Sequence, residues 1–197
     1  MNSDRQPQKI GLFGGTFDPV HIGHLIVAEW VCDALGLDRV VFVPNRIHPF
    51  HKRQGISESQ ARFEMLQLAL RPFPKFEISR FELDRDRVSY TIDTVRHFKE
   101  RFPNAELFVI IGADNLDEFD KWKEPQAILQ LAHLVVYNRK GYHKRPESRR
   151  IIYLETPHIE ISSTQIRERL KNGQACRALL PGEVYDYILK HHLYRGV

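Results

Sequence analysis

Four short apolar runs, three of them closed by glycine or proline, constrain this chain more than any other feature. Lys9 to Phe13 (KIGLF) stops at Gly14-Gly15, Arg39 to Val43 (RVVFV) at Pro44, and Leu107 to Ile111 (LFVII) at Gly112, while Leu134 to Tyr137 (LVVY) runs into polar sequence. Runs of this length without polar alternation read as strands buried on both faces. Between them lie segments of helical period. Ile22 to Leu35 places Leu25, Ala28, Cys32 and Leu35 at three- and four-residue spacing, with Asp18 and Pro19 as start signals and Gly36 as a stop. Glu58 to Leu70, Thr91 to about Phe102 and a shorter piece near Gln126 to Leu131 follow the same pattern. Strand-like pieces also fall at Phe76 to Leu83, Ile151 to Leu154 and Ile159 to Ile161, and two helices, Ser163 to Lys171 and Gly182 to His192, finish the chain. Strands alternating with helices demand an α/β fold: a doubly wound, mainly parallel sheet with helices on both faces. Ligands of such sheets collect beyond the carboxyl ends of the strands, near a topological switch point. The turns after the first and third runs are therefore where chemistry is expected.

A chain of 197 residues with no repeat and no linker reads as one domain, residues 1–197, with a core over about 9–160 and C-terminal helices over about 161–197. The hydrophobic fraction of 42% and charged fraction of 27% exclude a low-complexity or disordered chain. No apolar run approaches the roughly 18 residues of a membrane span, and MNSDRQPQK does not resemble a signal peptide. Cys32 and Cys176, far apart, form no metal or redox motif and suit a reducing cytoplasm. The net charge of +4 suits anionic ligands, nucleic acid or phosphorylated small molecules, without choosing between them. Much of the basic surplus lies in 138–150 (NRKGYHKRPESRR), which reads as a surface loop. With Tyr142 as its one aromatic, that loop argues against a nucleic-acid binder.

The turn after the first strand reads GGTFDPVHIGH, residues 14 to 24. Gly14 and Gly15 allow the backbone a tight turn and close approach to a ligand, and His21 and His24 sit one helical turn apart with Gly23 between them. A helix N-terminus favours anions, so two imidazoles there make a phosphate site. A metal pair would need a third ligand at suitable spacing, and neither GxGxxG nor a P-loop is present. Near the other end of the chain, ISSTQIR (161–167) opens a helix with a capping box from Ser162 to Gln165, and adds Ser163, Thr164 and Arg167, donors suited to a triphosphate.

GGTFDPVHIGH together with ISSTQIR resembles the signatures of the HxGH nucleotidyltransferases, Rossmann-like enzymes that transfer AMP or CMP to a phosphate. The class I aminoacyl-tRNA synthetases share HIGH but use a KMSKS-type loop, which this chain lacks. The resemblance implies a nucleotide site of Gly14, Gly15, Thr16, Phe17, His21, Gly23, His24, Gly112, Asp114, Ser163, Thr164 and Arg167, with His21, His24 and Arg167 catalytic and Asp114 near the sugar. ATP would bring Mg²⁺ held mainly by phosphates and waters, with no protein ligand assigned.

SYTIDT (89–94), IIGADNL (110–116) and Trp122 in DKW further resemble the bacterial nicotinate-nucleotide adenylyltransferases, as does NRIHPFHK (45–52) beside that family's PPHK loop. Phe50 stands where the family has its second proline, and Arg87 where it prefers glycine. The resemblance implies nicotinate mononucleotide as acceptor, bound by His51, Lys52, Ser89, Tyr90, Thr91 and Trp122. An attached pyridine ring is a cation, which an indole face attracts, and the nicotinate carboxylate suits free N–H groups at a helix start. The acceptor phosphate is already anionic, so neither a general base nor a covalent nucleophile is expected. Nicotinamide mononucleotide and phosphopantetheine are the alternative acceptors.

Overall fold

The computed structural model describes residues 7–46, 56–138, 148–157 and 159–195. His51, Lys52 and most of the loop expected at 138–150 lie outside them. The apolar runs become strands β1 (Lys9–Gly15), β2 (Arg39–Pro44), β4 (Glu106–Gly112) and β5 (His133–Asn138), joined by the shorter β3 (Phe76–Ile78) and β6 (Ile151–Glu155). The helices are α1 (Ile22–Ala34), α2 (Ser59–Leu70), α3 (Thr91–Arg101), α4 (Ala113–Leu116), α5 (Pro125–Leu131), α6 (Ser163–Lys171) and α7 (Gly182–Lys190). The sheet runs in the order β3-β2-β1-β4-β5-β6, and every pairing is parallel.

Side chains on successive strand residues point to opposite faces, and both faces are covered. Phe13, Val40, Phe42, Phe108, Ile110 and Val135 pack with α1, α2, α6 and α7. Ile10, Leu12, Val41, Val43, Leu107, Val109, Ile111, Leu134 and Val136 pack with α3 and α5. The runs therefore show no polar alternation because neither face meets water. Gly11 is the exception in β1: a Cβ there would lie 2.9 Å from Leu37 Cδ1 and 3.1 Å from Ile110 Cδ1.

Two local expectations are corrected. The piece from Phe76 to Leu83 is strand only to Ile78, after which Asp84 N–H bonds to the Arg80 carbonyl in a turn. Ile159 to Ile161 is no strand and leads directly into the N-cap of α6. The one-turn α4, too short for periodicity to reveal, follows β4 immediately. The chain reverses its strand order between β1 and β4, and the carboxyl ends of those two neighbours open the crevice that a doubly wound sheet uses for ligands.

Candidate active site

Two adjoining cavities occupy that crevice. The larger, about 860 Å³, is lined by Phe17, His21, Gly23, His24, Asp114, Ser163, Thr164 and Arg167. The smaller, about 330 Å³, is lined by Gly14, Gly15, Ser89, Tyr90, Thr91 and Trp122. Thr16, Ile56, Gly112 and Tyr137 line both and form the passage between them. The structure thus brings together the described residues singled out from sequence, with one regrouping. Gly14 and Gly15 belong to the smaller cavity, because they are the last residues of β1 and its carboxyl end points there.

His21 is the N-cap of α1, and its ring stacks on that of His24 with centroids 3.7 Å apart. The His21 main-chain N–H donates to His24 Nδ1 at 3.2 Å, so a neutral His24 carries its proton on Nε2. Phe17 and Phe13 meet the His24 ring edge-on at 5.0 and 6.1 Å. Burial lowers the pKa of His24 well below the ordinary histidine value, helped by His21 beside it, and burial alone brings His21 down to about 4. Both imidazoles are therefore neutral hydrogen-bonding groups near neutral pH. His21 Nδ1 is buried with no hydrogen-bond partner among the described residues. Gly23 makes this packing possible, since a Cβ there would sit 3.0 Å from His21 Nδ1.

Helix α6 is stapled to the β1–α1 turn. Ser162 caps it by accepting from Gln165 N–H, Ser163 Oγ donates to the Pro19 carbonyl at 2.9 Å, and Arg167 donates to the Asp18 carbonyl at 2.6 Å and to Thr164 Oγ1 at 3.2 Å. The Ser163 hydroxyl proton is thus spent on the turn, not on the cavity, while Arg167 keeps further N–H donors. Gly112 does comparable work on the other side, where a Cβ would overlap the Asp114 carboxylate and approach Tyr137 Oη at 3.3 Å.

The aspartate nearest in sequence to the imidazole pair is fully buried and already engaged. Asp18 Oδ1 accepts from Tyr194 Oη at 2.5 Å, and Oδ2 from Ser57 N–H at 3.1 Å. Among the described residues no group of three or more His, Cys, Asp or Glu side chains could hold a metal ion.

In the smaller cavity Trp122 is half-buried against Phe119, ring centroids 5.4 Å apart. Thr91 begins α3, but the Tyr90 N–H, expected to be free, donates to Asp93 Oδ2 at 3.3 Å. Ser89 Oγ is buried without a partner among the described residues. The charged neighbours Lys123 and Glu82 escaped the sequence reading. Lys123 Nζ lies 4.8 Å from the Tyr90 ring centroid and lines the cavity. Glu82 is buried there, accepting from Thr94 Oγ1 at 2.5 Å; burial raises its pKa while the Thr94 bond and Arg85 oppose the rise. Within FELDRDR it reads as one more surface charge, and only its placement below the cavity distinguishes it.

The cytidylyltransferase-like family model matches residues 12–169. The chain is 40% identical to the nicotinate-nucleotide adenylyltransferase of Bacillus subtilis, over 96% of this chain and 100% of that one. The chain belongs to this family, among the nicotinate-nucleotide adenylyltransferases. It is 45% identical to a Thermus thermophilus protein named "Probable nicotinate-nucleotide adenylyltransferase", over 95% of this chain and 100% of that one. The fold matches Plasmodium falciparum nicotinic acid mononucleotide adenylyltransferase complexed with NaAD at a TM-score of 0.78 and 20% identity, covering 95% of this chain and 97% of that one. The same enzyme complexed with APC gives a TM-score of 0.76 at 22% identity, with the same coverage. Among the described residues no helix is long and apolar enough to cross a membrane.

Proposed function

We propose that this chain transfers AMP from ATP to nicotinate mononucleotide, giving nicotinate adenine dinucleotide and pyrophosphate in NAD biosynthesis. The observation that carries the reading is the meeting of the two cavities at Thr16 and Gly112, with paired imidazoles and Arg167 on one side and Trp122 with the start of α3 on the other. A donor and an acceptor bound in them face each other directly.

In this reading an oxygen of the acceptor phosphate bonds to the α-phosphorus of ATP. The bond from that phosphorus to the bridging oxygen breaks, and its electron pair leaves with pyrophosphate. No proton need be removed from the attacker, so the protein's task is positioning and stabilisation of charge. His24 donates Nε2–H to the phosphate chain, Arg167 supplies the fixed positive charge, and His21 adds a second neutral imidazole. Mg²⁺ enters as part of the MgATP substrate. Asp114, beyond the Gly112 passage, receives the sugar hydroxyls. On the acceptor side Trp122 stacks on the pyridinium ring, Thr91 N–H and Lys123 meet the carboxylate, and Ser89 Oγ gains a partner. His51 and Lys52, by family resemblance, hold the acceptor phosphate. The free thiols of Cys32 and Cys176 suit a cytoplasmic site of action.

Pyrophosphate release from MgATP, measured separately with nicotinate mononucleotide, nicotinamide mononucleotide and phosphopantetheine, tests the assignment. The highest kcat/KM is expected with nicotinate mononucleotide. A higher value with either alternative reassigns the acceptor, and no release with any of the three contradicts adenylyl transfer.

A further inference from the structure

A buried polar network behind the phosphate turn has no part in the reaction as described. Asp18 is its centre. One carboxylate oxygen takes the Tyr194 hydroxyl from the C-terminal segment, the other takes Ser57 N–H two residues before α2, and its carbonyl takes Arg167. Arg62, also buried, donates to the Ser57 carbonyl at 3.2 Å, to Thr16 O at 2.7 Å and to Ser59 Oγ at 3.2 Å. The positive charge of Arg62 offsets the negative charge of Asp18 in a place where neither meets water. At the other end of the same polar stretch, Asn45 is tied to the turn through its N–H to the Gly15 carbonyl, 3.0 Å, and its Nδ2 to Thr16 Oγ1, 3.4 Å.

We propose that Tyr194 is a positioning residue for adenylyl transfer, acting through the Asp18 carboxylate to hold the phosphate turn, Arg167 and the start of α2 in one geometry. The proposal rests on the adenylyltransferase reading. Tyr194 itself lines neither cavity. Its hydroxyl fixes the carboxylate of Asp18, whose carbonyl anchors Arg167 and which stands two residues from the shared wall at Thr16. Burial and the adjoining carboxylate keep the phenol protonated across the working pH range, so the bond persists as a donor to Asp18. A displacement of about 1 Å at such a turn is enough to cost up to about a hundredfold in rate.

A second tyrosine provides the control. Tyr187 on α7 donates to Glu64 Oε2 on α2 at 2.7 Å, a bond of the same chemistry on the far side of α2 from the turn. Steady-state kinetics with MgATP and nicotinate mononucleotide are measured for the wild type, Tyr194→Phe and Tyr187→Phe, each well below its melting temperature. For Tyr194→Phe, kcat is expected to fall about tenfold with both KM values within about twofold. Tyr187→Phe is expected to melt lower yet keep kcat within about twofold. Adding Tyr194→Phe to Asp18→Asn is expected to lower kcat no further, because the two act as one unit. The proposal is overturned by a Tyr194→Phe kcat within twofold of wild type, by a loss matched in Tyr187→Phe, by additive effects with Asp18→Asn, or by a Tyr194→Phe chain that does not fold. A wild type without turnover would instead overturn the activity reading on which it stands.

Discussion

The main-chain N–H of His21 donates to His24 Nδ1, and this bond decides which imidazole nitrogen of His24 carries the proton. With Nδ1 committed as an acceptor, a neutral His24 presents Nε2–H. In the proposed reaction, a neutral donor whose position is set by the backbone needs no reorganisation when charge shifts toward the leaving pyrophosphate.

Replacing His24 by alanine removes that donor. We expect kcat to fall by about 10² to 10³, as for other fixed donors to a developing charge, with KM for either substrate changed by only a few-fold. Initial rates at saturating MgATP and acceptor check this. Unchanged turnover would remove His24 from the chemistry.

The imidazoles also set an acid limit on stability. His21 titrates at about 4 in the folded chain against an ordinary 6.5, so between these values the unfolded chain binds more protons. Stability from this group is complete above about pH 6.5 and is lost as pH falls toward 4, by at most roughly 3 kcal/mol. Thermal melts of wild type and His21→Gln from pH 7 to 4 should converge as the pH falls. A constant gap would mean that His21 ionises normally.

Gly23→Ala tests the packing behind the same pair. Its Cβ would press on His21 Nδ1 at 3.0 Å, so the ring must shift by a few tenths of an ångström. We expect about a tenfold loss in kcat, measured as for His24→Ala, with the melting temperature within a few degrees of wild type.

Trp122→Ala separates the two cavities. Loss of the stacking face should raise KM for nicotinate mononucleotide about tenfold while leaving the dissociation constant of ATP within about twofold, as measured by calorimetry. Equal weakening of both ligands would make Trp122 a structural residue packed on Phe119.

Much of the fold was legible because both faces of the sheet are buried. Runs such as RVVFV and LFVII fit the inside of a covered parallel sheet, and α6 starts where its capping box predicts, while α1 is capped by His21 rather than at Asp18 and Pro19. The grouping of the candidate site was legible for a related reason: HIGH and SSTQIR concentrate donors at two helix starts, which the structure brings to one cavity. What escaped depends on long-range contacts that leave no local pattern. Ser163 spends its proton on Pro19 across 144 positions, Asp18 meets Tyr194 across 176, and the buried Glu82 takes a hydrogen bond from Thr94 on α3. Electrostatics departed furthest from expectation. The paired imidazoles at a helix start suited to anions are neutral, since burial outweighs any gain from an anion not yet bound.

In the proposed reaction donor and acceptor meet directly at Thr16 and Gly112, with no intermediate on the protein. Transfer from ATP carrying a chiral α-phosphorothioate to nicotinate mononucleotide tests this in one measurement. A single in-line displacement inverts the configuration at the α-phosphorus of the dinucleotide, which is the expected result. Retention would require two displacements through a covalent nucleotidyl-protein intermediate and would contradict direct transfer.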